Sequence, residues 1–215
     1  MKFRWVCVYD RCVTVLCLLL LVGGCIISWK PTSIGHIDKV AGWEIDYLTY
    51  AGQGATRLEG QGLRITIRPQ NEGRSSGVML FPVPTPLSSW GPETAEKFWI
   101  TVDVRSKTKY TLDPFGFRLN IQSTSVTPYR VIQRDVTSDI YLQCTSGGTL
   151  INPREVAKGN KSDLWPPACF DVYFEIPMLS VDHEFDFVVR GAAGEEGVVN
   201  IPKITFTRGR SPSGW

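Results

Sequence analysis

The chain carries few side chains suited to acid–base or metal chemistry. Its two histidines are His36 and His183, the latter within Asp182-His183-Glu184 just ahead of a strand-like segment. That triplet reads either as a metal or acid–base centre or as a solvated polar turn, and the turn is the simpler reading. No GxSxG elbow, HExxH pair, P-loop or GxGxxG fingerprint is present. Gly52-Gln53-Gly54 and Gly60-Gln61-Gly62 read as turn material, because no helix signature follows either one. Two acids from distant strands can meet in a groove and hydrolyse a glycosidic bond. Asp103, Asp171, Glu175 and Asp186 qualify by face, yet each stands on the polar side of an alternating strand, where solvated acids are expected anyway. No catalytic residue, metal ligand or cofactor is therefore assigned.

The aromatic residues say more. Trp43, Trp90, Trp99 and Trp165, with Tyr110, Tyr129, Tyr141 and Tyr173, are numerous for a domain of this size. Trp99 and Tyr173 fall on the polar parity of their strands, and Trp165 opens the rigid extended run Trp165-Pro166-Pro167. These three are the candidate ligand-facing aromatics. Flat rings beside Asp, Asn and Arg suit sugars, which need apolar stacking together with hydrogen bonds. The alternative is that both faces of these strands are partly covered, for instance beneath the 145–168 loop. Cys144 and Cys169 are an even pair that lacks CxxC spacing and nearby histidines, so they read as one structural disulfide.

These residues need strands to position them. Leu63–Arg68 alternates strictly between apolar and polar, as does Phe98–Arg105, with Ile100, Val102 and Val104 on one side. Cys169–Ile176 places Phe170, Val172, Phe174 and Ile176 inward. Phe117–Gln122, Ile140–Cys144, Glu184–Arg190 and Val198–Thr207 continue the series, and Trp43–Thr49, Gly77–Phe81 and Tyr129–Arg134 follow it more weakly. Nine or ten short strands without long helices predict an all-β fold, an antiparallel β-sandwich of jelly-roll type. Two short helices are expected. Asn152–Gly159 carries an N-cap Asn, Pro at the first turn, Glu three residues into it and a terminal Gly, and Pro92–Lys97 could make one turn.

Ahead of the domain, residues 12–29 are an uncharged apolar run preceded by Lys2, Arg4 and Arg11, the order of an export signal or signal anchor helix. The run contains Val22-Gly23-Gly24-Cys25, which resembles the lipobox of bacterial lipoproteins. That resemblance implies that Cys25 becomes the first mature residue, with a diacylglyceryl group on its sulfur and an acyl chain on its amine, and so attaches the chain to a membrane. Ile26 in place of Asp implies sorting to the outer rather than the inner membrane. An uncleaved anchor (18 apolar residues against the ~20 that span a bilayer) and simple cleavage remain open. All three place the domain outside the cytoplasm, in the cell envelope. The expected organisation is 1–24 signal or anchor, 25–41 tether, 42–207 β-sandwich and 208–215 flexible tail.

Charge narrows the partners. Of 23 basic and 21 acidic residues, three basic and one acidic precede Cys25, which leaves 20 of each. Nucleic-acid binding draws on an excess of Lys and Arg, so no nucleic-acid partner is expected. The sequence points to a non-enzymatic envelope domain that binds another macromolecule, with a protein partner first. A carbohydrate-binding module comes second and a carboxylate-pair hydrolase third.

Overall fold

The computed structural model describes residues 28–50, 53–71, 97–135, 153–164 and 167–213. In chain order its strands are β1 (Ser28–His36), β2 (Trp43–Tyr50), β3 (Gln53–Gly60), β4 (Leu63–Pro69), β5 (Lys97–Ser106), β6 (Tyr110–Leu112), β7 (Arg118–Ile121) and β8 (Thr124–Val126). Then follow β9 (Pro128–Asp135), β10 (Arg154–Glu155), β11 (Ser162–Asp163), β12 (Ala168–Pro177), β13 (Phe185–Val188), β14 (Ala193–Gly194), β15 (Gly197–Val198) and β16 (Ile204–Ser213). Among the described residues there is one 3₁₀ turn, Pro114–Gly116, started by the Asp113 side chain, which accepts from the Phe115 amide.

Every strand pairing is antiparallel. The large sheet runs β10-β9-β12-β5-β4-β3-β2, a second runs β1-β16-β13-β7-β8, and a small one runs β11-β6-β14-β15. The alternation of β4, β5 and β12 explains their place at the centre. Ile65, Ile67, Ile100, Val102, Phe170, Val172 and Phe174 are all fully buried on one face. Phe185, Phe187 and Phe206 of the second sheet, with Phe117 just ahead of β7, meet them. Phe98 packs edge-on to Phe185 at 5.5 Å between centroids, and Phe117 contacts Phe170 at 6.2 Å. Each such ring contributes about 1.5–3 kcal/mol through burial. One apolar core thus lies between two sheets, the arrangement of a β-sandwich.

The β3–β4 hairpin turns on Gln61 and Gly62, both with positive φ (49° and 75°), between the paired Gly60 and Leu63. Two successive left-handed residues match the twist of the flanking strands. Gln53-Gly54, expected as turn, instead begins β3. A β-carbon on Gly54 would fall on the Tyr47 hydroxyl, so the Tyr47 side chain of β2 lies directly over this glycine.

Several expectations differ from the structure. The segment expected as a tether holds β1, whose nine residues pair with β16 from Ser28↔Ser213 to His36↔Thr205. The segment expected as a flexible tail belongs to β16 as far as Ser213. The stretch expected as one strand from Val198 to Thr207 is two, β15 and β16, with Pro202 in the break. Within the expected helix 152–159, Arg154 and Glu155 pair with Gln133 and Ile132, and the Val156 amide donates to Val131 O at 2.9 Å. Pairing with β9 therefore outweighs the local capping pattern, as tertiary context commonly does. Lys97, last of the other expected helical turn, begins β5, while residues 92–96 lie outside the described residues. So do the expected strands Gly77–Phe81 and Ile140–Cys144 and the signal or anchor segment 1–24. Among the described residues no helix is long and apolar enough to cross a membrane.

Candidate functional site

Part of the side of the large sheet turned away from the core is also withdrawn from water. Thr66 and Arg68 of β4, Thr101 and Asp103 of β5 and Asp171 of β12 are all buried. The middle of that side is therefore not the wet face that alternation predicts, and Asp103 and Asp171 are not solvated acids. Thr101 Oγ1 donates to Asp171 Oδ1 at 2.9 Å, and the same oxygen accepts from Arg134 Nη2 at 2.6 Å. Gln70 Nε2 donates to Thr101 Oγ1 at 3.1 Å. Asp103 accepts from Arg105 Nε at 3.2 and 3.4 Å. Burial pushes the Asp103 carboxyl above its ordinary value, against the opposing pull of Arg105 and Arg64. Polar groups withdrawn from water need such partners.

The candidate acids are thus only partly assembled. Asp103 and Asp171 share a face on neighbouring strands, with Asp171 opposite Thr101 and Asp103 opposite Cys169. Neither lines one of the grooves described below. Glu175 is exposed and paired with Lys97 Nζ at 3.3 Å. Asp186 lies on the second sheet, held by Lys203 at 2.9 Å and by the Thr205 hydroxyl at 2.7 Å. His183 is exposed in a turn, its amide donating to Ser180 O, and His36 on β1 contacts the Thr207 hydroxyl at 3.1 Å.

Two of the three candidate aromatics meet. Trp99 and Tyr173 are direct cross-strand partners on β5 and β12, both half-buried, with rings stacked at 6.1 Å and 20° apart. On the other flank Tyr173 is paired with Arg130 of β9, whose guanidinium lies 5.8 Å from the Tyr173 centroid. The register then shifts, because Phe174 pairs with Pro128 and Tyr129 has no opposite number. This is a β-bulge, which re-aims a side chain. It brings Tyr129 edge-on to Tyr173 at 6.5 Å, with Tyr129 44% exposed. Lys97 Nζ sits 4.7 Å above the Tyr129 ring, and Arg130 Nε reaches Glu155 at 3.2 Å. The Tyr173 phenol is raised above its ordinary value, first by burial and next by the Asp171 charge, so it stays a neutral hydroxyl.

The result is a continuous surface row, Glu175–Lys97–Tyr129–Tyr173–Arg130–Glu155. Beside it opens a groove of about 910 Å³ whose lining includes Phe115, Val126, Tyr129, Glu155 and Glu175. A second recess of about 480 Å³ shares Glu155, Val156 and Ala157 with it and adds Gln133, Arg154 and Lys161. Tyr129 and Arg130 were not singled out from sequence, because a bulge follows from register rather than from composition. Trp165, Cys25 and Cys144 lie outside the described residues. Cys169 is buried at the start of β12.

No protein-family model matches the chain, and no curated protein and no solved structure shows significant similarity to it.

Proposed function

We propose that the chain is an envelope lipoprotein, attached through lipid on Cys25, whose jelly-roll-like β-sandwich is a non-catalytic domain that binds a protein partner at the Tyr129–Tyr173 row. One observation carries the choice of partner. Tyr173 has Trp99 stacked on one flank and Arg130 on the other, and Lys97 covers Tyr129. A sugar ring stacks on an open aromatic face, and these faces are occupied by neighbours. The surface offers ring edges, a phenol, two cations and two carboxylates, and Tyr and Arg of this kind dominate the energetics of protein contacts.

The groove supports a second reading. Phe115 and Tyr129 beside Glu155 and Glu175 are an apolar and hydrogen-bonding mix that a cell-envelope glycan could use.

A photo-crosslinking residue at position 129 of the full chain, irradiated in the producing cell, tests the first reading. A control position, Thr205, lies on the second sheet. A discrete protein adduct at 129 but not at 205, lost on Arg130→Glu, supports a protein partner. Absence of that adduct, together with retention on isolated cell-wall polysaccharide that Tyr129→Ala abolishes, transfers the site to the glycan reading. For the attachment, Cys25→Ser is expected to change both mature mass and membrane retention. If neither changes, the lipoprotein reading fails.

A further inference from the structure

We propose that the partner of the Tyr129–Tyr173 row is a protein held in the same membrane as this chain, met at a height above the bilayer that the short stretch from Cys25 to Ser33 sets. The proposal rests on the attachment through Cys25 and on the binding row put forward above, and it names the kind of partner that row takes.

Strand register places the row at the end of the fold where the attachment arrives. β1 is fastened to the body of the large sheet. The Gly35 amide donates to Thr56 Oγ1 at 2.9 Å, Ser33 and Asn71 exchange hydrogen bonds at 3.0 and 3.3 Å, and Thr32 is buried beside Gly54. Thr56 stands opposite Ile67, and Asn71 follows the end of β4, so β1 traced from Gly35 back to Ser33 runs toward the Pro69 end of that strand. Pro69 faces Ile100 on β5, and the Gln70 amide donates to Trp99 O at 3.1 Å. Trp99 faces Tyr173, and Lys97 faces Pro177. Ser33, Asn71, Trp99, Tyr173 and Tyr129 thus share one end of the sandwich. The Gln61-Gly62 turn is at the other end, beyond Leu63 and Ser106, roughly 20 Å away along β4 at about 3.4 Å per residue.

The chain between attachment and body is short. The steps from Cys25 to Ser33 reach at most about 28 Å when fully extended. From Asn71, successive strand spacings of about 4.8 Å lead across β5 and β12 to β9, roughly 15 Å in all. Tyr129 therefore stays within roughly 50 Å of the lipid however the tether lies. A partner free in solution reaches either end of the domain and gains nothing from a site beside the tether. A protein in the same bilayer meets this end first. The row also has a limited grip of its own. Its charges already pair with one another, Lys97 with Glu175 and Arg130 with Glu155, and exposed pairs of this kind contribute about 0–1 kcal/mol. Tyr129 is exposed, whereas Tyr173 and Trp99 are half-buried. Holding both proteins in one membrane raises their effective concentration without any new contact, which supplies what so small a surface lacks.

A photo-crosslinking residue at position 129 of the full chain reports the contact in the producing cell, and a spacer inserted between Ile27 and Ser28 changes the height. Two spacers of about 30 residues are compared: a stiff Pro-rich one that lifts the domain by up to about 90 Å, and a Gly/Ser one with an end-to-end distance of about 30 Å. The expected adduct stays with carbonate-washed membranes, falls roughly tenfold or more with the Pro-rich spacer and persists in large part with the Gly/Ser one. An adduct unchanged by the Pro-rich spacer overturns the proposal, as does crosslinking to a protein that washes free. Equal loss with both spacers assigns that loss to a disturbed start of β1 and also overturns it. Absence of any adduct in the parent chain overturns the binding row, and this proposal with it. A parent chain that the membrane does not retain overturns the attachment instead, so the failures are told apart.

Discussion

Arg134 Nη2 and Asp171 Oδ1 meet at 2.6 Å on the side of the large sheet turned away from the core, and each side chain is only 13% exposed. With Thr101 donating to the same oxygen, the carboxylate exchanges its water for two fixed donors. Removing one partner of a buried pair costs far more than removing both, because it leaves the other charge uncompensated. Asp171→Ala is therefore expected to destabilise the fold by about 3–5 kcal/mol. Asp171→Leu combined with Arg134→Met should recover most of that loss. Urea unfolding of the three proteins measures it, and a double variant as unstable as Asp171→Ala would sink the argument.

Asp103 gives the opposite sign of pH dependence to most carboxylates. Burial raises its folded pKa above the ordinary value, so the folded state prefers the neutral acid. The stability it contributes is present below the ordinary carboxylate pKa and is lost as pH rises through the elevated one. Asp103→Asn does not titrate. The stability of this variant relative to the parent should therefore climb with pH across that window, whatever fixed offset the lost Arg105 contact introduces. Thermal melts of both proteins from pH 3 to pH 7 test this, and a flat or falling difference would contradict it.

The Trp99–Tyr173 stack should be measurable as a coupling. Aromatic pairs contribute about 0.5–1.5 kcal/mol beyond the area they bury, so a double-mutant cycle through Trp99→Ala and Tyr173→Ala is expected to return a coupling of that size. Because Trp99 is half-buried and stacked, Trp99→Ala loses stability as well as surface. Tyr129→Ala, at an exposed ring, is the cleaner probe of binding, with a melting temperature expected close to that of the parent.

Cys144 is expected to be the partner of Cys169. The bridge would close a loop of about 25 residues, and on the chain-entropy model such a loop contributes about 3.5 kcal/mol. Peptide mapping without reductant should show the crosslinked pair, and Cys144→Ser should lower stability by an amount of that order. A crosslink from Cys169 to another cysteine would refute the pairing.

Much of the fold was legible in the residues, and the reasons are specific. The alternation of Leu63–Arg68, Phe98–Arg105 and Cys169–Ile176 places β4, β5 and β12 directly, since a period of two leaves little else for such runs to be. The same parity correctly put Trp99 and Tyr173 on one face. Alternation says which way a side chain points but not whether something lies over it, so the burial of Arg68, Asp103 and Asp171 could not be read. β1 was illegible because Ser28–His36 contains Pro31 and Gly35 and has little apolar rhythm. It is a strand by virtue of its partner. The segment 152–159 fails the other way, carrying a good local helix-start pattern that the edge of β9 overrides. Tyr129 belongs to the site through a register slip, and register is a property of two strands at once.

The pairing of β1 with β16 also dictates the order of events in the making of the molecule. Ser28 and its partner Ser213 are separated by 185 positions in the chain, one of the longest separations the described fold contains. Such contacts carry a high loop-closure cost and form slowly. The first described strand to emerge from a ribosome must wait, unpaired along its whole length, for the last. Until then the second sheet lacks both β1 and β16, and Phe185 lacks Phe206, the ring stacked on it at 5.1 Å. The second sheet can therefore close only after the last described strand has been made, while the local hairpins β2–β3–β4–β5 of the large sheet need not wait for it.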